Sequence, residues 1–355
     1  MEIVRMVNLA VAFIVSSALV RIEPLSDPLP NPFPSRICAP YVACWTSLSV
    51  SALASRTGNK FYTLAFIISD NSANSAPYWN GTMPMSDDKY VADISTLRAQ
   101  GGDVIISFGG QGGKELALVH SKVSTLQAAY QQVLSKYNPR WVDFDIEGAT
   151  IFDTAANTRR NQALRNLQAA NPGLIVAYTV PSTSPDSGIT QSTLKLLENA
   201  KANGVDVGIV NIMAMNYGTT ICGDMGQYAI NVASHTRTQL NALGIPASVG
   251  ITPMIGVNDY PCENFTLADT RTVLNYANAN SYIGLLSFWV MDADAKDANV
   301  NIFKSFNGSV AINPVMISRS PWAPQTTGVF DFNGRVRRPA YRPLIRRFPG
   351  SPRHP

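Results

Sequence analysis

A chain of 355 residues with 46% hydrophobic and 15% charged side chains can bury a sizeable core, which excludes intrinsic disorder as a description of the whole. Its 24 glycines and 23 prolines are an ordinary share, so collagenous and low-complexity classes are excluded too. The net charge of +4 is unevenly placed: eight arginines between Arg319 and Pro355 stand against one acid, Asp331, and the rest of the chain is mildly acidic.

In chain order, residues 1–20 have the character of an export signal, with Arg5 before an apolar run from Leu9 to Val15 and small residues at Ser16, Ser17 and Ala18. The run is shorter than the roughly 20 apolar residues of a membrane span, so removal and secretion are expected, with no stable membrane insertion afterwards. Residues 21–36 hold five prolines and form an expected linker. From there, short apolar runs at 41–45, 62–68, 104–108, 141–146, 175–180, 207–213, 247–251 and 284–290 alternate with stretches of helical period at 115–137, 157–170, 191–202, 227–243 and 267–279. Strands interleaved with helices pair in parallel through right-handed crossovers, and eight of them close a ring. The expected fold is therefore α/β, a single (β/α)8 TIM barrel over residues 37–310, about the ~250 residues that such a barrel needs. A doubly wound open sheet is the alternative, disfavoured because neither GxGxxG after the first strand nor a P-loop is present. Residues 311–355 form an Arg- and Pro-rich tail without a core period.

Four cysteines allow three full pairings. Cys222 and Cys262 each follow an expected strand, in loops that neighbouring barrel strands bring together, so a bridge between them is expected; Cys44, inside a strand-like run, has the character of a buried thiol. Asn80, Asn264 and Asn307 open Asn-x-Ser/Thr tripeptides suited to a secreted glycoprotein.

The chemistry lies in Trp141-Val142-Asp143-Phe144-Asp145-Ile146-Glu147-Gly148. On a strand, Asp143, Asp145 and Glu147 share one side and Phe144 and Ile146 the other. In a barrel the acids face the axis, where they cannot all be ionised without cost, so at least one keeps a proton near neutral pH and becomes a general acid. An exposed edge strand carrying solvated acids is the plain alternative, as is a cation held by the same carboxylates.

With its neighbours, this segment resembles glycoside hydrolase family 18, the chitinases, in the bacterial-type branch. The family signature DxxDxDxE aligns with Arg140 to Glu147 and SxGG with Ser107-Phe108-Gly109-Gly110. Further echoes are Ala39-Pro40-Tyr41, the run from Asn211 through Met213, Met215, Asn216 and Tyr217 to Gly218, the run from Thr252 to Asp259, and Phe288-Trp289 with Asp292. The resemblance implies a secreted chitinase that hydrolyses β-1,4-linked N-acetylglucosamine polymers without a cofactor or metal. Glu147 is then the acid and base, Asp145 orients the substrate's 2-acetamido group, whose carbonyl oxygen is the nucleophile, and Asp143 shares a proton with Asp145. Trp289 is expected under the sugar, Met213 and Met215 beside the acetamido methyl, and Ser107, Gly109 and Gly110 next to the acid strand. Asn216 and Tyr217 are expected at the substrate, and Tyr78 and Trp79 as stacking platforms for further sugars.

Two residues depart from the pattern: Arg140 replaces the first Asp of the signature, and Asn216 stands where this branch usually has Asp, keeping its shape without its charge. The second reading that the resemblance carries is a chitin- or oligosaccharide-binding protein with weak or no hydrolysis; the third is cleavage of the chitobiose core of N-glycans. The three histidines, His120, His235 and His354, are scattered and give no metal cluster or Ser-His-Asp set. No nucleic-acid motif is present, so chitin or its oligosaccharides are the expected partner and nucleic acid is not; nothing in the pattern bears on oligomeric state.

Overall fold

The structure, a computed structural model, describes residues 30–70 and 75–292. The expected leader (1–20), most of the linker (21–36), the end of the expected barrel range, the tail (311–355) and Asn307 lie outside the described residues.

In chain order the strands are β1 (Ile37–Cys38), β2 (Tyr41–Ala43), β3 (Phe61–Ser69), β4 (Pro77–Trp79), β5 (Met83–Pro84), β6 (Asp103–Gly109), β7 (Trp141–Asp145), β8 (Ile175–Ser184), β9 (Gly188–Ile189), β10 (Val207–Ala214), β11 (Ser248–Pro253), β12 (Gly256–Val257), β13 (Asn264–Phe265) and β14 (Ile283–Leu286). The helices are α1 (Val50–Thr57), α2 (Val91–Ala99), α3 (Leu116–Val119), α4 (Val123–Tyr137), α5 (Thr154–Ala170), α6 (Gln191–Ala202), α7 (Met225–Leu243) and α8 (Leu267–Ala279).

β1 and β2 are two halves of one strand, parted at Pro40, which has no N–H to give a ladder. The first half pairs with β14 (Ile37 opposite Leu285) and the second with β3 (Tyr41 opposite Thr63). The intervening strands run β3, β6, β7, β8, β10, β11, β14, all in parallel, so the sheet closes on itself as a TIM barrel. The barrel expected from the alternating pattern is the barrel found.

Its interior is built in layers, because alternate residues of each strand face the axis. Ile37, Ile105, Trp141, Ala177, Ile209 and Leu285 form an apolar plug at the inner end. Two residues further along each of five strands the side chains are polar and buried: Ser107, Asp143, Thr179, Asn211 and Ser287. Two more residues along come Gly109, Asp145, Pro181, Met213 and Trp289, which line a cleft at the C-terminal ends of the strands. Sequence period and strand pairing therefore carry the acids of β7 from a dry plug to an open mouth.

Outside the barrel, Phe108, Tyr130, Phe144 and Tyr178 pack behind β7, with Phe108 and Phe144 stacked at 5.1 Å. Beside them Arg160 of α5, fully buried, donates to Glu115 Oε2 at 2.7 Å and to Asn157 Oδ1 at 2.6 Å. The other Glu115 oxygen accepts from Tyr130 Oη at 2.7 Å, and Glu115 also caps α3. Removing one partner of such a pair leaves a buried charge. Arg160→Met is expected to lower unfolding free energy by about 3–5 kcal/mol in urea titrations; a loss below about 1 kcal/mol would mean the pair does not hold α3 and α5 to the barrel.

Cys222 and Cys262 form the expected disulfide, with Cα atoms 5.2 Å apart, and Cys38 and Cys44 are free and buried. No helix among the described residues is long and apolar enough to cross a membrane.

Candidate active site

A cleft of about 680 Å³ opens at the C-terminal ends of the strands, lined by Asp145, Glu147, Met213, Met215, Asn216 and Trp289 together with residues of β2, β3, β8 and β11. The acid strand lies along its floor. Asp143 is deepest and holds three hydroxyls: Ser107 Oγ at 2.6 Å and Tyr41 Oη at 3.0 Å on Oδ2, and Thr179 Oγ1 at 2.7 Å on Oδ1. Burial pushes its carboxyl up to about 6, against the opposing pull of those hydroxyls.

Asp145, the next inward residue, is also buried, and its Oδ1 has no hydrogen-bond partner. Burial first, then the nearby Glu147 and Asp143, holds it well above the ordinary carboxylate range. Glu147, half-buried at the start of the turn Gly148–Phe152, is raised by burial. Asp145 and Glu147 therefore titrate as a pair that keeps a proton where isolated carboxyls have lost theirs. Such a pair can hand a proton to an oxygen in the cleft and take it back.

Glycine makes this close packing possible. A Cβ on Gly109 would lie 2.1 Å from the Asp145 carbonyl oxygen, and that same oxygen accepts the Gly110 N–H at 3.0 Å. The SxGG glycines thus bring β6 against the acid strand, and Ser107 beneath them holds Asp143.

Trp289, half-buried, lines the same cleft as the acids, stacked on Phe66 at 5.5 Å with planes 15° apart and flanked by Tyr41 at 5.8 Å and Trp45 at 6.1 Å. An indole packed against other rings is a flat apolar platform in a cleft that also holds two carboxyls whose burial favours their protonated forms.

The comparisons agree with this geometry. No family model matches the chain. It is 33% identical over 75% of its length to the catalytic domain of a hyperthermophilic chitinase from Pyrococcus furiosus, covering 87% of that chain at a TM-score of 0.68. The chain belongs to the family 18 chitinases. It is also 31% identical over 78% of its length to the probable bifunctional chitinase/lysozyme of Escherichia coli K12. A further relative, Endochitinase 11 of Metarhizium anisopliae, is 31% identical over 74% of this chain. The chain spans 33% and 53% of the length of these two curated relatives.

Within this family 18 chain, Glu147, Asp145, Met213, Met215, Asn216, Gly109 and Trp289 meet at one cleft. Other residues expected there stand elsewhere. Trp79 is a correction: it is fully buried, its ring edge-on to Tyr90 and Tyr137 and its indole N–H donated to Tyr137 Oη at 2.8 Å. β4 is an antiparallel excursion from β3, which turns this indole into the core rather than toward a sugar. Tyr78, its half-buried neighbour on β4, is not among the cleft residues. Tyr217 is buried with its ring edge-on to Tyr228 and is not among the cleft residues. Ser107 and Gly110 support the acid strand from beneath and beside it and do not line the cleft.

Arg140, in place of the signature's first Asp, lies at the inner end of β7, exposed, and donates to the Pro30 carbonyl at 3.1 Å. Of the Asn-x-Ser/Thr positions, Asn80 is exposed on the cleft lining and Asn264 is partly buried on β13.

The sequence reading gave no site role to Trp45, Phe66, Thr179 or Tyr260, all cleft residues. Trp45, 52% exposed, follows directly on the first barrel strand, and an aromatic at that end was the signal available. Asn216, expected at the substrate without the charge of the usual Asp, lines the cleft and is itself paired with an acid. Its Nδ2 donates to Asp259 Oδ2 at 2.7 Å and its Oδ1 accepts the Asp259 N–H at 3.1 Å, so a carboxylate stands against the amide. Among the described residues no group of three or more His, Cys, Asp or Glu side chains could hold a metal ion.

Proposed function

We propose that the chain hydrolyses β-1,4-linked N-acetylglucosamine polymers with retention, the substrate's own acetamido group acting as nucleophile. The observation that carries this reading is the meeting of two inward carboxyls, Asp145 and Glu147, with the Trp289 indole in one cleft. Glu147 gives its proton to the glycosidic oxygen as the acetamido carbonyl oxygen bonds to the anomeric carbon and the bond to the leaving sugar breaks. Asp145 accepts the acetamido N–H and stabilises the oxazolinium charge. Glu147, now a carboxylate, takes a proton from water as that water's oxygen opens the ring, and the starting state returns. No cofactor enters.

On this reading residues 37–310 are the catalytic domain, after a leader (1–20) and linker (21–36) and before a tail (311–355). Secretion is supported by the apolar leading segment and by the Cys222–Cys262 disulfide, a bond suited to an oxidising compartment. The test is release of a chromophore from a chitotriose glycoside by the purified protein: turnover supports a hydrolase, whereas binding with signal no higher than in the Glu147→Gln protein supports the oligosaccharide-binding alternative.

The pairing of Asn216 with Asp259 makes its own prediction. The amide donates to the carboxylate and accepts from its backbone N–H at once, without taking up a proton. Asn216→Asp sets two carboxylates at hydrogen-bond distance, where they must share a proton. The expected result is a KM raised about tenfold, the worth of one hydrogen bond to a charged group at about 1.5 kcal/mol. An unchanged KM would show that the Asp259 orientation does not matter to binding.

A further inference from the structure

Beneath the cleft a belt of hydrogen bonds crosses the barrel well beyond the acid strand. Asn211 of β10 lies in the same interior layer as Asp143, with β8 between them. Its Nδ2 donates to Thr179 Oγ1 at 2.9 Å and, at 3.5 Å, reaches Tyr41 Oη; its Oδ1 accepts from Thr252 Oγ1 at 2.9 Å. Asn211 is fully buried and off the cleft, whereas Thr179, Thr252 and Tyr41, nearly buried themselves, reach its lining, so the amide has only these side chains as partners.

A hydroxyl carries one hydrogen, and an amide nitrogen can only donate. Thr179 Oγ1, receiving the Asn211 N–H, has its own hydrogen to give, and of the two acceptors in reach, Asp143 Oδ1 at 2.7 Å and Tyr41 Oη at 2.9 Å, the closer carboxyl oxygen takes it. Tyr41, approached by the same nitrogen, has Thr179 Oγ1 at 2.9 Å and Asp143 Oδ2 at 3.0 Å as acceptors, and with Thr179 already receiving the amide N–H its hydrogen goes to the carboxyl. Reversing the amide would offer Thr179 an oxygen instead and draw its hydrogen off Asp143. The Thr252 hydroxyl, donating to Oδ1, stands against that reversal.

We propose that Asn211, its amide held by Thr252, is a positioning residue that fixes the direction of the Thr179 and Tyr41 hydroxyl hydrogens, keeps Asp143 an acceptor, and leaves the catalytic proton with Asp145 and Glu147. Asp143 is faced by Ser107 from β6, Tyr41 from β2, Thr179 from β8 and Asp145 on its own strand, with Glu147 beyond; of these Tyr41, Asp145 and Glu147 can titrate. The kinetic consequence rests on the hydrolase reading above, whereas the titration of Asp143 does not.

The experiment follows the Asp143 carboxyl carbon by NMR in protein labelled with carboxyl-¹³C aspartate, its signal assigned by its loss in Asp143→Asn, alongside the pH profile of kcat/KM on a chitotriose glycoside. Asn211→Asp, nearly isosteric, presents an acceptor to Thr179 in place of the donor. It is expected to move the Asp143 titration up by about one pH unit, the loss of one hydrogen bond to a charged group, and to move the acid limb of the profile the same way with KM changed less than about threefold. Thr252→Val frees the amide and is expected to shift both in the same direction by about half a unit. Folded variants in which Asp143 titrates as in the wild type would overturn the proposal. Should Asn211→Asp fail to fold, Thr252→Val decides by the same criterion. Wild-type turnover no higher than that of Glu147→Gln would remove the hydrolase reading and leave the NMR titration to decide this one.

Discussion

Glu147→Gln is expected to lower kcat on a chitotriose glycoside about a thousandfold, within the ~10²–10⁴ that a positioned general acid supplies. The amide fills the same space at the start of the Gly148–Phe152 turn, so fold and sugar binding stay, and KM should change little. What is lost is the proton. Glu147 is set up to carry one because it is partly withdrawn from water beside Asp145, and its carboxyl is raised by that burial. A fall of about 4 kcal/mol in transition-state stabilisation is what a thousandfold loss means. Loss of less than tenfold would show that another group protonates the leaving oxygen.

Asp145→Asn is expected to cost about 10²–10³ in kcat, the size of losing one preorganised electrostatic contact, and at the same time to stabilise the fold. The two effects share a cause. Asp145 is buried with one oxygen unpaired and its proton affinity is raised by burial, by Glu147 and by Asp143. The folded state therefore holds that proton more tightly than the unfolded chain does, so wild-type stability falls as pH rises above about 4, where the unfolded side chain ionises. An amide does not titrate. The melting temperature of Asp145→Asn should exceed the wild-type value at pH 7 by at least about 2 °C, the effect of ~1 kcal/mol in a domain of this size, and the gain should vanish near pH 4. A variant less stable than wild type at pH 7 would mean that the Asp145 carboxylate, not its protonated form, is what the fold accommodates.

Much of the barrel could be read from the chain because its strands are apolar runs buried on both sides, bounded by helices with clear caps such as Thr190 before α6 and Thr266 before α8. The acid motif was equally legible, since alternation alone puts Asp143 and Asp145 on the inner face and Phe144 on the outer. α1 and α2 escaped because they are short. α1 buries one short stripe, Val50, Leu53, Ala54 and Thr57, and its first turn is held by Asp93, 42 to 44 residues on. Trp79 was misread for a different reason: its side-chain direction depends on the antiparallel turn of β4 back along β3, a tertiary fact that no local period encodes. The Asn216–Asp259 pair and the Asn211 belt join residues 32 or more apart on different strands and loops, so only the closed ring shows them.

The central claim is that Glu147 and Asp145 serve a reaction whose nucleophile belongs to the sugar. Proton NMR of the first product formed from N-acetylchitotetraose tests it most directly, read before mutarotation. The account predicts that the β anomer appears first and that the fully deacetylated tetramer is not cut. First appearance of the α anomer, or equal cleavage of the two tetramers, would contradict it.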